Sequence, residues 1–455
     1  MQKKKNFKWS EFNVWTESPT GSIIIQSLRT QEVVEFTNDY KPKLKTSKFN
    51  SGLVAEELRE FYDDLFDLGL IVYSDISESD LFLKFFHQER KRLDTLKVVF
   101  TPTLQCQAAC FYCWQPHGGE IMGQEIADLF IIKLNDFFTR YDQTKKLFLE
   151  LFGGEPLLAW KIISYTLPRV QAVCDKHQVE LETSIISNTE LMSLDKAKFL
   201  FQFNWQELQT TFDGPQRIHD QIRTKRGGQP TFQNIYKNFA KILESSTAPR
   251  LTKARCHFYP STISLIPELF DQFIKSGFNQ HSGFRVSVKE VQQTNTAQIS
   301  PNIFGQKKFK PLAGQNLAEA FLWLYRKMAL RGLKKVPHVY QDGPLCYEKQ
   351  FAAWVVAPDG IVESCDSMVG TRKGYAQLDQ LLPILNNQSD ENFAYLKLCN
   401  QDKCSQRYTC GGSCTYNAMV ETGQWRQRWC RKEYLEKINS GLLRLHYVEF
   451  SDQEL

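Results

Sequence analysis

Cys106, Cys110 and Cys113 fall within eight residues, and Cys346, Cys365, Cys399, Cys404, Cys410, Cys414 and Cys430 crowd the last quarter of a 455-residue chain. Cys174 and Cys256 stand apart. This spacing constrains the fold more than any other feature, because clustered thiols are either crosslinks or ligands, and the two belong to different compartments. The N-terminus, MQKKKNFKWSEF, is basic but leads into no apolar stretch of signal-peptide type, and no run of about 18 apolar residues occurs. A cytoplasmic location is therefore expected, with thiols kept reduced for metal ligation or catalysis.

With 42% hydrophobic and 24% charged residues the chain can bury a real core, which excludes disordered and fibrous classes. Its length predicts two or three domains. The 56 basic residues exceed the 51 acidic ones only slightly and form no recurrent block, so no nucleic-acid partner is expected, and no membrane partner either.

Periodicity divides the chain into three regions. Residues 1–93 read as a small α+β unit with short strands at 12–16, 23–28 and 33–36. A helix carrying Val54, Leu58, Phe61, Leu65 and Leu68 follows, capped by Gly69, then a strand at 71–73 and a charged helix at about 78–92. Residues 94–310 alternate strand and helix, with strands at 97–101, 147–152, 182–186, 208–212, about 251–258 and 284–288. Six βα units in series predict a parallel sheet curved into an open, partial (β/α)6 TIM barrel, with chemistry on the loops that follow the strands. Residues 311–455 begin with a helix near 315–331 and then become loop-rich and cysteine-rich, a segment expected to need metal to hold it together.

Cys106-Gln-Ala-Ala-Cys110-Phe-Tyr-Cys113 begins directly after the first barrel strand. Three thiolates cannot complete a four-ligand site, so one metal position is left open for a substrate or cofactor; the other reading is a zinc knuckle that borrows His117. The spacing, with Tyr112 before the last cysteine, resembles the CxxxCxΦC signature of radical S-adenosylmethionine (radical SAM) enzymes. The resemblance implies a [4Fe–4S] cluster on these three cysteines, with S-adenosylmethionine on the fourth iron. Reductive cleavage then yields a 5′-deoxyadenosyl radical. Further positions resemble the same family: Gly153, Gly154 and Glu155 its GGEP segment at the methionine amine, and Ser187 and Asn188 its ribose-contacting pair, with Thr189 where glycine is common. Thr211-Phe212-Asp213-Gly214-Pro215 with His219-Asp220 and Arg223 resembles the SLDGP…HD…R segment of the peptide- and protein-modifying branch, which implies cofactor contacts for Thr211 and Arg223. Asp213 is read as a turn or capping residue at least as readily as a catalytic one.

The seven late cysteines, Cys346-x13-Gly360-x4-Cys365 followed by Cys399-x4-Cys404-x5-Cys410-x3-Cys414 and Cys430, resemble the SPASM domain. The resemblance implies two auxiliary [4Fe–4S] clusters, cluster I on Cys346, Cys365 and Cys414 and cluster II on Cys399, Cys404, Cys410 and Cys430, three clusters in all. The family pattern spaces the third and fourth cysteines two apart; here Cys399 and Cys404 enclose four residues, and Tyr340 to Leu345 offer no eighth cysteine just before Cys346. A pair of structural zinc sites is the alternative. Cys174 and Cys256 are expected to be buried packing residues. Asp366 follows Cys365, as does the base aspartate of sulfatase-maturing relatives, and is the candidate catalytic base.

The SPASM branch chiefly modifies peptides, and the N-terminal strand–helix order resembles the winged-helix element that binds leader peptides in enzymes maturing ribosomally synthesised peptides (RiPPs). The expected function is an oxidoreductase that installs a carbon–carbon, ether or thioether cross-link in a precursor peptide with a leader, served by a flavodoxin- or ferredoxin-type electron donor. A formylglycine-forming sulfatase maturase, a peptide epimerase or dehydrogenase, and a non-catalytic metal-binding scaffold are the alternatives.

Overall fold

The computed structural model describes residues 6–37, 48–50, 56–116, 118–291, 312–335, 345–370, 376–382, 393, 395–412, 414–424 and 427–450. Val54 and His117 lie outside them. The N-terminal region holds two small antiparallel sheets. One pairs β1 (Asn6–Trp9) with β5 (Lys48–Asn50) and β6 (Ile71–Tyr73); the other runs β2 (Asn13–Glu17), β3 (Ile23–Ser27), β4 (Val33–Phe36). Strands β2 to β4 and β6 match expectation, whereas β1 and β5 do not, because each is too short to show a period and is strand only by pairing. Helices Glu56–Asp67 and Glu78–Arg90 complete the region, and the Ser77 hydroxyl caps the second by accepting from the Asp80 amide at 3.3 Å.

Among the described residues the main sheet has nine strands, built outward from β7 (Thr95–Phe100). Its first six in sequence, β7 (Thr95–Phe100), β8 (Lys146–Leu151), β9 (Glu180–Ile186), β10 (Trp205–Phe212), β11 (Leu251–Phe258) and β12 (Phe284–Glu290), pair in parallel with helices between them. This is the expected alternation. On β8, Leu147, Leu149 and Leu151 are buried outward while Phe148 and Glu150 face the concave side; on β11, Thr252, Ala254 and Cys256 alternate in the same way with Lys253, Arg255 and His257. A strand with one apolar and one polar face must put the apolar face under its crossover helices. There Phe130, Leu134 and Phe137 of helix Gln124–Arg140 and Ile235, Phe239 and Ile242 of helix Phe232–Leu243 meet the sheet. Each such burial contributes about 1.5–3 kcal/mol. The polar face is left to line the lumen.

The C-terminal region departs from expectation, since metal is not its sole support. β13 (Ala353–Val356) joins the main sheet parallel to β7, in register Ala353↔Lys97 to Val356↔Phe100, and β14 (Ile361–Glu363) and β15 (Ala376–Gln377) continue it antiparallel. Gly360, at φ 80°, turns β13 into β14. Trp354, Val356, Leu378, Leu435 and Ile438 enter the same core as the barrel, and helix Lys432–Arg444 packs along helix Gly314–Ala329. Cys174 and Cys256 are fully buried in helix Trp160–His177 and in β11, as expected of packing thiols.

Candidate functional site

The loop that follows β7 carries Cys106 and Cys110, both nearly buried, and Cys113, half-buried. Its backbone is held by the segment after helix Gln216–Ile222: the Ala109 amide donates to the Thr224 carbonyl at 2.7 Å, the Arg226 amide to the Gln107 carbonyl at 3.1 Å, and Arg226 Nε to the Cys106 carbonyl at 3.1 Å. Gln107 Nε2 reaches Asn188 Oδ1 and Glu190 Oε2, each at 3.2 Å, and Lys225 pairs with Glu190. Burial pushes the Cys106 thiol up to about 11 and the Cys110 thiol up to about 12, with Glu155 adding at Cys106 and Asp213 at Cys110 against Arg223. Thiols so shifted stay protonated until a metal displaces the proton.

Gly153 and Gly154 follow β8, where each lies close against the backbone that leads into the cysteine loop. A Cβ on Gly153 would sit 2.3 Å from the Thr103 carbonyl oxygen, and one on Gly154 would sit 2.3 Å from that of Gln105. The glycines admit the backbone that leads into the cysteine loop, and the Gly154 and Glu155 amides bond Thr103 and Gln105 at 3.1 and 2.8 Å. Glu155 is fully buried and accepts from Ser187 Oγ at 2.8 Å, the Asn188 amide at 2.8 Å and the Leu157 amide at 3.1 Å. Burial raises its pKa, opposed by these donors. Glu155, Ser187 and Asn188 thus form one unit, with Asn188 Nδ2 3.9 Å from Cys106 Sγ. Thr189 has φ 60°, the left-handed conformation that explains glycine's fitness there.

Tyr112, Asp213 and Arg223 also come together. The Tyr112 hydroxyl lies 2.9 and 3.0 Å from the two Asp213 carboxylate oxygens, Arg223 Nε donates to Asp213 Oδ2 at 3.0 Å, and Arg223 also reaches the Tyr112 oxygen. His257, on β11 and not anticipated from sequence, completes the group at 3.0 Å from the Tyr112 oxygen and 3.3 Å from Asp213. Burial alone would raise the Asp213 pKa, but Arg223 and His257 hold it far below the usual carboxylate range. Asp213 is thus a buried ion-pair anchor, not a capping residue. His219 and Asp220 brace the segment: His219 Nδ1 accepts from the Asp213 amide at 3.2 Å, and Asp220 Oδ1 accepts from the Thr231 and Phe232 amides at 2.9 and 2.8 Å.

Below this layer the lumen carries both signs of charge. Lys253 pairs with Glu207, Arg255 donates to Ser287 Oγ at 3.3 Å, and Thr211 lies opposite Arg255 in register. Burial pushes Glu150 up to about 8, reinforced by Asp366 and Glu207, and pushes Lys289 down to about 8, reinforced by Arg255 and Arg431. Asp366 therefore belongs electrostatically to the lumen, interacting with Glu150 and Arg255, while its Oδ1 lies 3.4 Å from Cys365 Sγ. The period-2 alternation of β8, β11 and β12 was the signal for Glu150, Arg255, His257 and Lys289.

The late cysteines fall into two neighbourhoods. Burial raises the Cys365 thiol well above its ordinary value, with Asp366, Cys346 and Cys414 adding. Cys399 is pushed up to about 11 by burial, with Cys410, Cys404 and Cys430 adding against Arg428. These last four thiols line one cavity with Arg428, Trp429 and Phe82. The longer Cys399–Cys404 spacing is taken up by a turn with Lys403 at φ 45°, closed by the Cys404 amide on the Cys399 carbonyl at 3.2 Å. Among the described residues no three His, Cys, Asp or Glu groups are arranged around a single metal ion. A cavity ringed by four thiols fits a multi-iron cluster, whose irons spread the ligands apart.

An open parallel barrel with a three-thiol loop after its first strand and a thiol-lined C-terminal cavity defines the class of protein. No family model matches the chain. It is similar to the radical SAM cyclopropyl synthase TigE of Paramaledivibacter caminithermalis, 24% identical over 228 residues that span 45% of this chain and 46% of that relative, about half its length. It is also similar to a serine-type anaerobic sulfatase-maturating enzyme of Bacteroides thetaiotaomicron, 20% identical over 70% of this chain and 81% of the relative. The fold is shared with native anSMEcpe, solved with S-adenosylmethionine and a peptide, at TM-score 0.56 and 17% identity over 77% of this chain and 97% of that one. Streptococcus suis SuiB shares it at TM-score 0.50 and 14% identity over 91% and 97%. The sequence similarity is thus to a radical SAM cyclopropyl synthase and to an anaerobic sulfatase-maturating enzyme, and the solved structures show a shared fold. Among the described residues no helix is long and apolar enough to cross a membrane.

Proposed function

We propose that the chain is a cytoplasmic radical SAM maturase that installs a carbon–carbon, ether or thioether cross-link in a leader-bearing precursor peptide. In this reading residues 1–93 bind the leader, 94–310 form the radical SAM barrel and 311–455 the auxiliary-cluster region. Cys106, Cys110 and Cys113 hold the first [4Fe–4S] cluster, the two late neighbourhoods hold the auxiliary ones, and a flavodoxin- or ferredoxin-type protein donates electrons. The first cluster, when loaded, supplies the electron that cleaves S-adenosylmethionine and so generates the hydrogen-abstracting radical. The chain's own residues do the rest: Glu155 fixes the Ser187-Asn188 turn beside Cys106, Asp213 and Arg223 fix Tyr112, and the charged lumen wall orients the peptide. Asp366 is proposed as the base, with Glu150, protonated at neutral pH by its raised pKa, as the group that holds a proton beside it.

The observation that carries this reading is the half-buried lumen with the three-thiol loop at one end and Asp366 with Cys365 facing in. Similarity to the sulfatase-maturating enzyme over 70% of the chain makes oxidation of Ser or Cys to formylglycine the second reading to test. Anaerobic reconstitution tests both. About twelve irons per chain, three four-iron clusters, and 5′-deoxyadenosine formation are expected; zinc without cleavage would overturn the proposal. A product that has lost two hydrogens and does not react with a hydrazide is the cross-link, and a hydrazide-reactive product is the aldehyde. Removing the leader from the precursor should raise KM and spare kcat, and unchanged kinetics would exclude leader recognition.

A further inference from the structure

Arg407 lies between Cys404 and Cys410, is 2% exposed, and has most of its donors engaged. Its Nε donates to the Cys404 carbonyl at 2.9 Å, its Nη1 to Asn400 Oδ1 at 2.6 Å and Ser79 Oγ at 2.8 Å, and its Nη2 pairs with Glu11. The guanidinium also stands over the rings of Phe12, 4.8 Å away, and Phe82, 5.7 Å away. Asn400 and Cys404 belong to the loop of the four-thiol cavity, whereas Glu11, Phe12, Ser79 and Phe82 belong to the N-terminal region. Around this residue Phe12, Phe82 and Phe86 share one apolar core with Phe393, Leu396 and Tyr408, and Phe82 itself lines the thiol cavity.

We infer that Arg407 is a positioning residue through which the N-terminal region sets the geometry and charge around auxiliary cluster II, an inference that rests on the cluster assignment proposed above. A planar fork that bonds the Cys404 carbonyl on one side and a carboxylate on the other fixes both partners at once. Cluster potentials respond to nearby charge and hydrogen bonding. Glu11 neutralises the guanidinium, so the N-terminal region supplies half of the charge balance beside the cluster. Deleting the N-terminal region to test leader binding would therefore also strip one wall from the cluster II cavity.

The test is a redox titration of the full-length, iron-loaded protein, followed by electron paramagnetic resonance, with cluster II identified as the signal and the iron lost in Cys404→Ala. Glu11→Gln leaves the cation unneutralised and should raise the midpoint of that signal alone. Arg407→Gln removes the cation and should lower it. Opposite shifts confined to cluster II support the inference; a simple structural latch would lower stability in both variants and leave all midpoints where they were, which would overturn it. If Arg407→Gln does not fold, Glu11→Gln decides by itself: a raised midpoint supports, an unchanged one overturns. Full iron content in Cys404→Ala would instead overturn the cluster assignment, and the inference with it.

Discussion

Substituting Asp213 by Asn should loosen the three-cysteine loop, which Asp213 reaches through the Tyr112 hydroxyl. The carboxylate is completely buried and pairs at 3.0 Å with Arg223, whose side chain is 11% exposed. Asn keeps the shape and some hydrogen bonding but leaves a buried guanidinium without its counter-charge, a loss of about 3–5 kcal/mol. At about 1.4 kcal/mol per tenfold change, amide exchange through local opening should speed up by at least about 100-fold in residues 104–114 and 213–226. Hydrogen exchange of the metal-free, reduced chain, read by mass spectrometry, measures this without assuming all-or-none unfolding. The double variant Asp213→Leu/Arg223→Met should recover most of the loss, because replacing both partners removes the orphaned charge. The sign with pH follows from the depressed Asp213 pKa: the pair's contribution is fully present above the ordinary carboxylate value and is lost only as pH falls below it. The gap between wild type and Asp213→Asn should thus hold across the neutral range and close in acid. Exchange within threefold of wild type, or a double variant worse than the two singles combined, would refute the ion-pair account.

Gly154→Ala places a methyl 2.3 Å from the Gln105 carbonyl oxygen and must shift the approach to Cys106, so 5′-deoxyadenosine formation should fall by about 100-fold; near-normal cleavage would show that the loop can yield. The raised Glu150 pKa means that the folded chain holds a proton the unfolded chain has released, so this group's contribution to stability declines from the ordinary carboxylate value up to about pH 8. Glu150→Gln should flatten that decline, as urea midpoints at pH 5 and pH 8 would reveal, and an unchanged slope would argue against a buried acid. Replacing Cys399 and Cys410 with Ala should remove about four irons and leave cofactor cleavage at the first cluster measurable, whereas Cys110→Ala should abolish cleavage; equal effects in both would contradict separate sites.

The parallel barrel strands were legible because several, β8, β11 and β12 among them, carry a clean alternation beside a helical pattern, as in Leu147, Leu149 and Leu151 with Phe130 and Leu134. Ala353–Val356 was not, since four apolar residues in a loop-rich tail have no period of their own and become strand only against β7. At the site, the cysteine spacing and the GGEP segment point to loops that the structure brings together, but the close approach of the glycines to Thr103 and Gln105 was visible only in the fold. The alternation of β11 places His257 on the lumen face but not beside Tyr112, 145 positions away, and Arg407, whose partner Glu11 lies 396 positions away, leaves no local pattern.

The pairing of β13 with β7 also fixes an order of events during synthesis. β7 emerges first of the barrel strands, yet its second neighbour leaves the ribosome only after β8 to β12 and their helices have been made. Through that interval the edge of β7 that later meets Ala353–Val356 stands open. An open parallel edge invites pairing with another chain. The nascent protein is therefore most exposed to aggregation in that window, and arrival of residues 353–356 ends it.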